Sequence, residues 1–303
     1  MKIAHASRHA IAYVLEEEHG VTPDNPSMAY LRNTSCTLNL TRDSFTSEEL
    51  RKDRQISDVR TGTDQIGGAI GFEPSFGEFD AFLEAVLAGT WTDDVLTAGV
   101  EERSFTIERQ FTDIEQYVRY RGCFVNQFSL NLQPNAMMTG SFEIVGLSGE
   151  TADTPLTASV AASRTGRAYD TYSGELRDGD DTLAVVTGLE FTLNNGIQPQ
   201  FVLFQRAAPF VTWGRSNCTG TLTAFFEDAR MIQKFLDETP VDLHFTIGRP
   251  QDGQYQFTLP RILYTGTENN MEQDGPISIS MPFQAVLDPE AGTNISIKRL
   301  AAA

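Results

Sequence analysis

Four histidines are the side chains in this sequence best suited to proton transfer near neutral pH or to metal ligation: His5, His9, His19 and His244. The first three stand close to the N-terminus without a second group of ligands at metal-site spacing. His244 alternates with Leu243 and Phe245, which is strand-face spacing, so a histidine satisfied by its neighbours competes there with a general acid or base. Gly67-Gly68-Ala69-Ile70-Gly71 has neither the spacing nor the basic residue of a phosphate-binding loop. Asp178-Gly179-Asp180-Asp181 lacks the ordered spacing and terminal glutamate of a calcium loop and reads as a turn. There is no G-x-S-x-G, H-E-x-x-H or dinucleotide motif, and the carboxylates are too numerous to single out a glycosidase pair. The sequence therefore points to no catalytic residue, metal ligand or cofactor, and a hydrolase with dispersed carboxylates ranks behind non-enzymatic readings.

Composition narrows the field further. The chain has 303 residues, room for one large domain or two ordinary ones. Its 20 phenylalanines argue against disorder. A formal charge of −18, from 41 acids and 23 bases, opposes a surface that grips nucleic acid phosphates and suits one that repels them. Cys36, Cys123 and Cys218 are too few and too widely spaced for a disulfide framework, so buried thiols in a reducing compartment are expected. No run reaches the ~18 apolar residues of a membrane span, and no membrane insertion is expected.

The elements that position these residues are mainly strands. Residues 1–30 read as an arm, with Pro23 and Pro26 resisting regular structure after Glu18. A first unit over 31–150 begins where Cys36, Leu38 and Leu40 alternate with polar residues. Residues 41–60 read as a long polar loop, and Gly62–Phe72 as a Gly-rich strand. A helix is expected over Ser75–Ala88, capped by Ser75 and Glu78 and stopped by Gly89. Strands follow around Phe105–Phe111, Val118–Phe124, Phe128–Leu132 and Phe142–Ile144. Residues 151–185 read as a linker rich in small and polar residues.

The second unit, 186–303, repeats the order. Leu189, Phe191 and Leu193 alternate with polar residues, a long segment runs through Trp213, and Cys218–Ala224 echoes the Gly-rich strand. A helix over Glu227–Asp237 points Ala229, Ile232, Phe235 and Leu236 inward and ends before Pro240. Strands through Leu243–Ile247, Tyr255–Leu259, Ile277–Phe283 and Ile295–Ile297 complete it. The fold class is thus mainly β, a sandwich or barrel with a short flanking helix, in two tandem copies.

Several of these segments resemble the major tail tube proteins of long-tailed, siphovirus-type bacteriophages. The likeness is carried by Leu31-Arg32-Asn33-Thr34-Ser35-Cys36-Thr37-Leu38, by Ser47 to Gln55, by Gly77-Glu78-Phe79-Asp80, by Tyr120-Arg121-Gly122-Cys123-Phe124 through Phe142, and by the arm ending Gly20-Val21-Thr22-Pro23. It covers most of the chain and is strongest over residues 10–150. It implies a structural protein of the virion tail, assembled in the host cytoplasm. Rings of this protein would stack into a tube around a tape-measure protein, meet a tail terminator, and conduct viral DNA without binding it specifically.

The resemblance also assigns candidate surfaces. The arm and the loop after the first strand would reach an adjacent ring, making Arg42, Glu48, Glu49, Arg51, Lys52, Arg54 and Arg60 candidate inter-ring contacts. Glu108, Glu143 and Glu190, on polar strand faces, are candidate acids of the lumen. Two units per chain would give a trimeric, pseudo-six-fold ring, with a hexamer as the alternative. The rival function is a β-sandwich module for host recognition or carbohydrate binding, with Trp91 or Trp213 as its platform.

Overall fold

The computed structural model describes residues 2–178, 181–182, 186–270 and 275–302, and it is mainly β with antiparallel pairing. The first part of the chain contains β1 (His9–Leu15), β2 (Ala29–Leu31), β3 (Ser35–Cys36), β4 (Asn39–Thr46) and β5 (Val59–Phe72). Helix α1 (Asp80–Leu87) follows, then β6 (Val95–Thr97), β7 (Phe105–Phe111), β8 (Gln116–Leu132), β9 (Thr139–Gly146) and β10 (Ser148–Ala152). The second part contains β11 (Gly174–Asp178), β12 (Asp181–Thr182), β13 (Val186–Asn194), β14 (Gln198–Gln200), β15 (Phe210–Thr212) and β16 (Asn217–Phe225). After α2 (Arg230–Leu236) come β17 (Val241–Arg249), β18 (Gly253–Tyr264), β19 (Glu268–Asn270), β20 (Ser278–Ala285) and β21 (Ser296–Leu300).

One run of neighbouring strands organises the molecule, in the order β4–β5–β9–β8–β13–β16–β20–β18. Strand β8 joins its two ends by pairing with β9 on one side and β13 on the other. Period-two alternation sends one set of side chains from each strand to a common buried layer. Phe142 stacks on Phe72 with ring centroids 4.6 Å apart and on Phe128 at 5.3 Å, and Phe128 continues to Phe257. Phe245 stacks on Phe257 at 4.7 Å, so aromatic contacts run unbroken from the first part of the chain into the second.

The sequence suggests separate strands around Val118–Phe124 and Phe128–Leu132, but these form the single 17-residue β8. Its first half pairs with β7 and β10, its second half with β9 and β13. The change of partners occurs around Gly122, whose φ of +61° lies in the left-handed region, and a Cβ there would meet Leu147 at 2.6 Å. Pairing with β7 slips at the same place, between Phe105 and Ile107.

A buried carboxylate pins this crossover. Glu16 is 6% exposed and accepts hydrogen bonds from the Gly20 amide at 2.7 Å, Ser104 Oγ at 2.6 Å, Thr106 Oγ1 at 2.7 Å and the Gly122 amide at 2.9 Å. No cation pairs with it among the described residues; neutral donors from the N-terminal segment, β7 and β8 converge on it.

Other expectations change in physical detail. The N-terminal segment does not stand clear of the core: β1 pairs with β7 along seven residues, and Ile11, Ala12 and Met28 are buried. Helix α1 starts at Asp80 rather than Ser75, because Gly77 has a φ of +74° and the expected capping pair has other partners. Ser75 accepts from Arg32, while Glu78 accepts from the backbone amides of Arg32 and Arg164. Ala88, not Gly89, adopts the left-handed cap conformation, with a φ of 49°.

Helix α2 is shorter than expected and buries none of its residues, and Leu236, expected inward, is 65% exposed. The segment read as a linker contains the end of β10, then β11, which pairs with β17, and β12. Between β10 and β11, Tyr169 is buried. The Asp178-Gly179-Asp180-Asp181 run has its central two residues outside the described ones.

Replacing Glu16 with alanine leaves four donors facing a void. Glu16→Ala is expected to lower the unfolding free energy by about 3 kcal/mol or more. Urea titration checks this, and a loss below about 1 kcal/mol would show that the carboxylate does not hold the crossover.

Candidate functional site

The side of the central sheet opposite the aromatic layer carries an unusual selection of side chains. Strand pairing aligns them in rows. The first runs Glu143–Gln127–Asn194–Asn217, the second Ser141–Ser129–Thr192–Thr219–Gln284, and the third Thr139–Asn131–Glu190–Thr221–Pro282. These rows contain short hydroxyls, amides and two carboxylates, and no lysine or arginine.

Neighbouring side chains bond to each other across the rows. Asn194 donates to Gln127 at 2.7 Å, Ser129 and Ser141 hydroxyls meet at 2.8 Å, and Gln284 donates to Asn217 at 2.9 Å. Paired amides and hydroxyls such as these make a polar surface without a strong binding group, while Glu143 and Glu190 are exposed and set its sign. Beside β9, strand β5 contributes only Ala69 and Gly71 opposite Glu143 and Ser141, so this margin of the face is flat.

The third acid expected here lies elsewhere. Glu108 is fully buried on β7, where Arg119 pairs with it at 2.9 Å and Gln110 and the Leu156 amide donate to it. Strand alternation alone misassigned it, because the segment after β10 covers that face of β7. Burial with a matched arginine and two further donors makes it a structural ion pair.

The candidate inter-ring residues sit on and around the β4–β5 hairpin. Residues 41–46, expected in a loop, continue β4, and the pairing with β5 starts at Thr46 and Val59, so the loop is shorter than the sequence suggests. Three arginines are paired inside the hairpin: Arg42 with Asp64, Arg51 with Asp53 at 2.8 Å, and Arg60 with Asp58 at 2.8 Å. Among the described residues, the side chains of Glu48, Glu49, Lys52 and Arg54 have no such partner and are exposed. Local pairing thus leaves this projection with both signs of charge available.

Apart from the exposed His5, the residues with chemical potential are engaged structurally. His9 accepts from Arg109 at 3.0 Å, His19 meets Ser104 at 2.8 Å, and His244 lies between Asp242 at 2.9 Å and Thr258 at 3.0 Å. The Arg299 guanidinium stacks over Trp91 at 4.3 Å, and Trp213 packs edge-on against Phe124. Neither tryptophan is a free platform. Burial raises the thiol pKa values of Cys123 and Cys218, leaving both poor nucleophiles.

Two features of the surface are not anticipated from the sequence. The polar rows are signalled only by recurrent Ser, Thr and Asn at alternate strand positions. The exposed tip between β14 and β15 is signalled by an apolar run, Phe201-Val202-Leu203-Phe204, in a segment with prolines on both sides.

The docking of β1 on β7 is expected to respond to pH through His9. Burial and the Arg109 charge lower its pKa from 6.5, so the fold favours the neutral ring. That contribution is present above pH 6.5 and is lost as the pH falls through it, because the unfolded chain takes up the proton first. The stability of the wild type relative to His9→Gln is expected to decline between pH 7.5 and 5.5 in thermal melts; a constant difference would remove His9 from the pH response.

A family model described as phage tail tube protein matches residues 6–285. No curated protein matches the chain.

Proposed function

Because this chain belongs to the phage tail tube protein family, as a structural protein of the virion tail and not an enzyme, we propose that it forms an acidic channel from two tube units per chain. The observation that carries this reading is the polar sheet face, continuous from β9 to β20, with carboxylates and no cations. DNA moving past such a wall meets repulsion and water rather than phosphate-gripping side chains, which keeps it from stalling. Glu143 and Glu190 are the acids assigned to the lumen, and the buried Glu108 is not among them.

Two tandem units are supported by the pairing order. β4–β5–β9–β8 corresponds to β13–β16–β20–β18, with α1 after β5 and α2 after β16. The long strands correspond as well: β8 divides its pairing between β7 with β10 and β9 with β13, and β18 divides its own between β17 with β21 and β20. Three chains would then supply six units around one ring.

Among the described residues, strand β4 is hydrogen-bonded on one side only, to β5, which makes it an edge where a neighbouring copy can continue the sheet. The β4–β5 projection, with Glu48, Glu49, Lys52 and Arg54 exposed, is the assigned contact to the next ring. The tube would enclose a tape-measure protein and end at a tail terminator.

Native mass spectrometry of isolated rings is expected to give three times the chain mass of 33.5 kDa. A ring of six chains would contradict the trimeric arrangement. The double substitution Glu143→Lys with Glu190→Lys is expected to leave assembly intact and make the tubes retain duplex DNA at low salt, with release as salt rises. Variant tubes that ignore DNA at every salt concentration would remove this face from the lumen.

A further inference from the structure

Among the described residues, the two α-helices differ in what covers them. Helix α1 buries five of its eight residues, whereas α2 buries none fully: Met231, Ile232 and Phe235 pack half-buried against the core and Leu236 is left outside. Leu236 on α2 is 65% exposed, and beside the helix Phe225 and Phe226 are 43% and 37% exposed. Phe226 donates its amide to the Ile277 carbonyl at 2.9 Å, which fixes this apolar margin to the sheet. Four acids flank it, Glu227 and Asp228 before the helix and Asp237 and Glu238 after it, against two cations on the helix, Lys234 and Arg230, the latter paired with Asp228 at 2.7 Å. Clustered exposed apolar side chains of this kind mark a protein contact more often than free surface.

A surface of matching character occurs on the β14–β15 ribbon. Leu203 is 83% exposed and Phe204 fully so, at its tip. The ribbon is not a loose strand pair: Ile197 and Ala208 are buried with Phe124 and Leu147, and the Arg206 carbonyl accepts from the Asp64 amide at 2.9 Å. From Gln198 to Thr212 the ribbon has one arginine, Arg206, and no acid, although the whole chain carries −18. One projection is therefore apolar with a single positive charge, and the helix region from Glu227 to Glu238 offers exposed apolar side chains with four acids against two bases.

We propose that the Phe201–Phe204 tip of one copy seats on the α2 face of a neighbouring copy, over Leu236, Phe225 and Phe226. The apolar residues supply the burial, and Arg206 against the acids flanking α2 sets the orientation. Tip and face are different patches, so the contact is heterologous: each copy offers a tip to one neighbour and a face to another, and the contact propagates around a closed ring or along a filament. This rests on the assembly reading above and adds to it the pair of surfaces that meet.

Intermolecular crosslinking of the full chain tests it. The double variant Phe204→Cys with Leu236→Cys, assembled and then oxidised, is expected to give a ladder of covalent multimers on a denaturing gel. Each single variant should remain monomeric there, and a mixture of the two single variants should give dimers and no longer species. A second variant, Leu203→Glu with Phe204→Glu, is expected to keep the wild-type melting curve and lose assembly at least tenfold. Assembled particles without a ladder, a ladder from Phe204→Cys alone, or undiminished assembly of the glutamate variant would each overturn the contact. If the unmodified chain forms no multimer at all, the assembly reading fails and the contact falls with it.

Discussion

The structure depends most on the change of partners along β8. One strand cannot keep a single ladder and serve two sheets; its backbone must turn, and the amide at the turn must still be satisfied. Gly122 provides the left-handed conformation and Glu16 provides the acceptor. The same carboxylate takes donors from β7 and from the segment after β1, so the N-terminal region is tied to the crossover. Loss of that anchor would loosen the N-terminal region, the outer strands and the central sheet together.

Beyond the crossover, the consequences divide by sheet face. Buried phenylalanines on one side give the chain a core that spans both parts, so neither half exposes its inner layer to water. The other side is free to take the composition that its surroundings require. Hydroxyl and amide side chains, several bonded to each other, with carboxylates between them, make this face polar and negative. Such a face contributes little to folding, and its composition is therefore more informative about use than that of the core.

Much of this was legible in the chain. Alternation at Leu189, Phe191 and Leu193, and at Phe142 and Ile144, located central strands because a half-buried strand leaves a period of two. Glu143 and Glu190 were correctly read as lying on polar strand faces for the same reason, and the family was legible in short segments spread over the first half. Glu108 shows the limit: alternation reports the side of a strand but not what another segment lays over it. Ser75 and Glu78 have the spacing of a capping pair, yet the backbone of Arg32 and Arg164 recruits Glu78 over a long sequence distance. The role of Glu16 was hidden because three of its four donors, from Ser104, Thr106 and Gly122, lie far away in sequence. The β8 crossover was hidden because Gly122 reads equally well as a turn between two strands.

The central claim is that the sheet face carrying Glu143 and Glu190 lines a channel built from three two-unit chains. Electron cryomicroscopy of assembled tubes tests it most directly. The account predicts three chains per ring with the Gln127, Thr192 and Thr219 side chains turned toward the lumen. A ring in which these residues face the outside, or in which the channel wall is formed by the opposite layer, would contradict it.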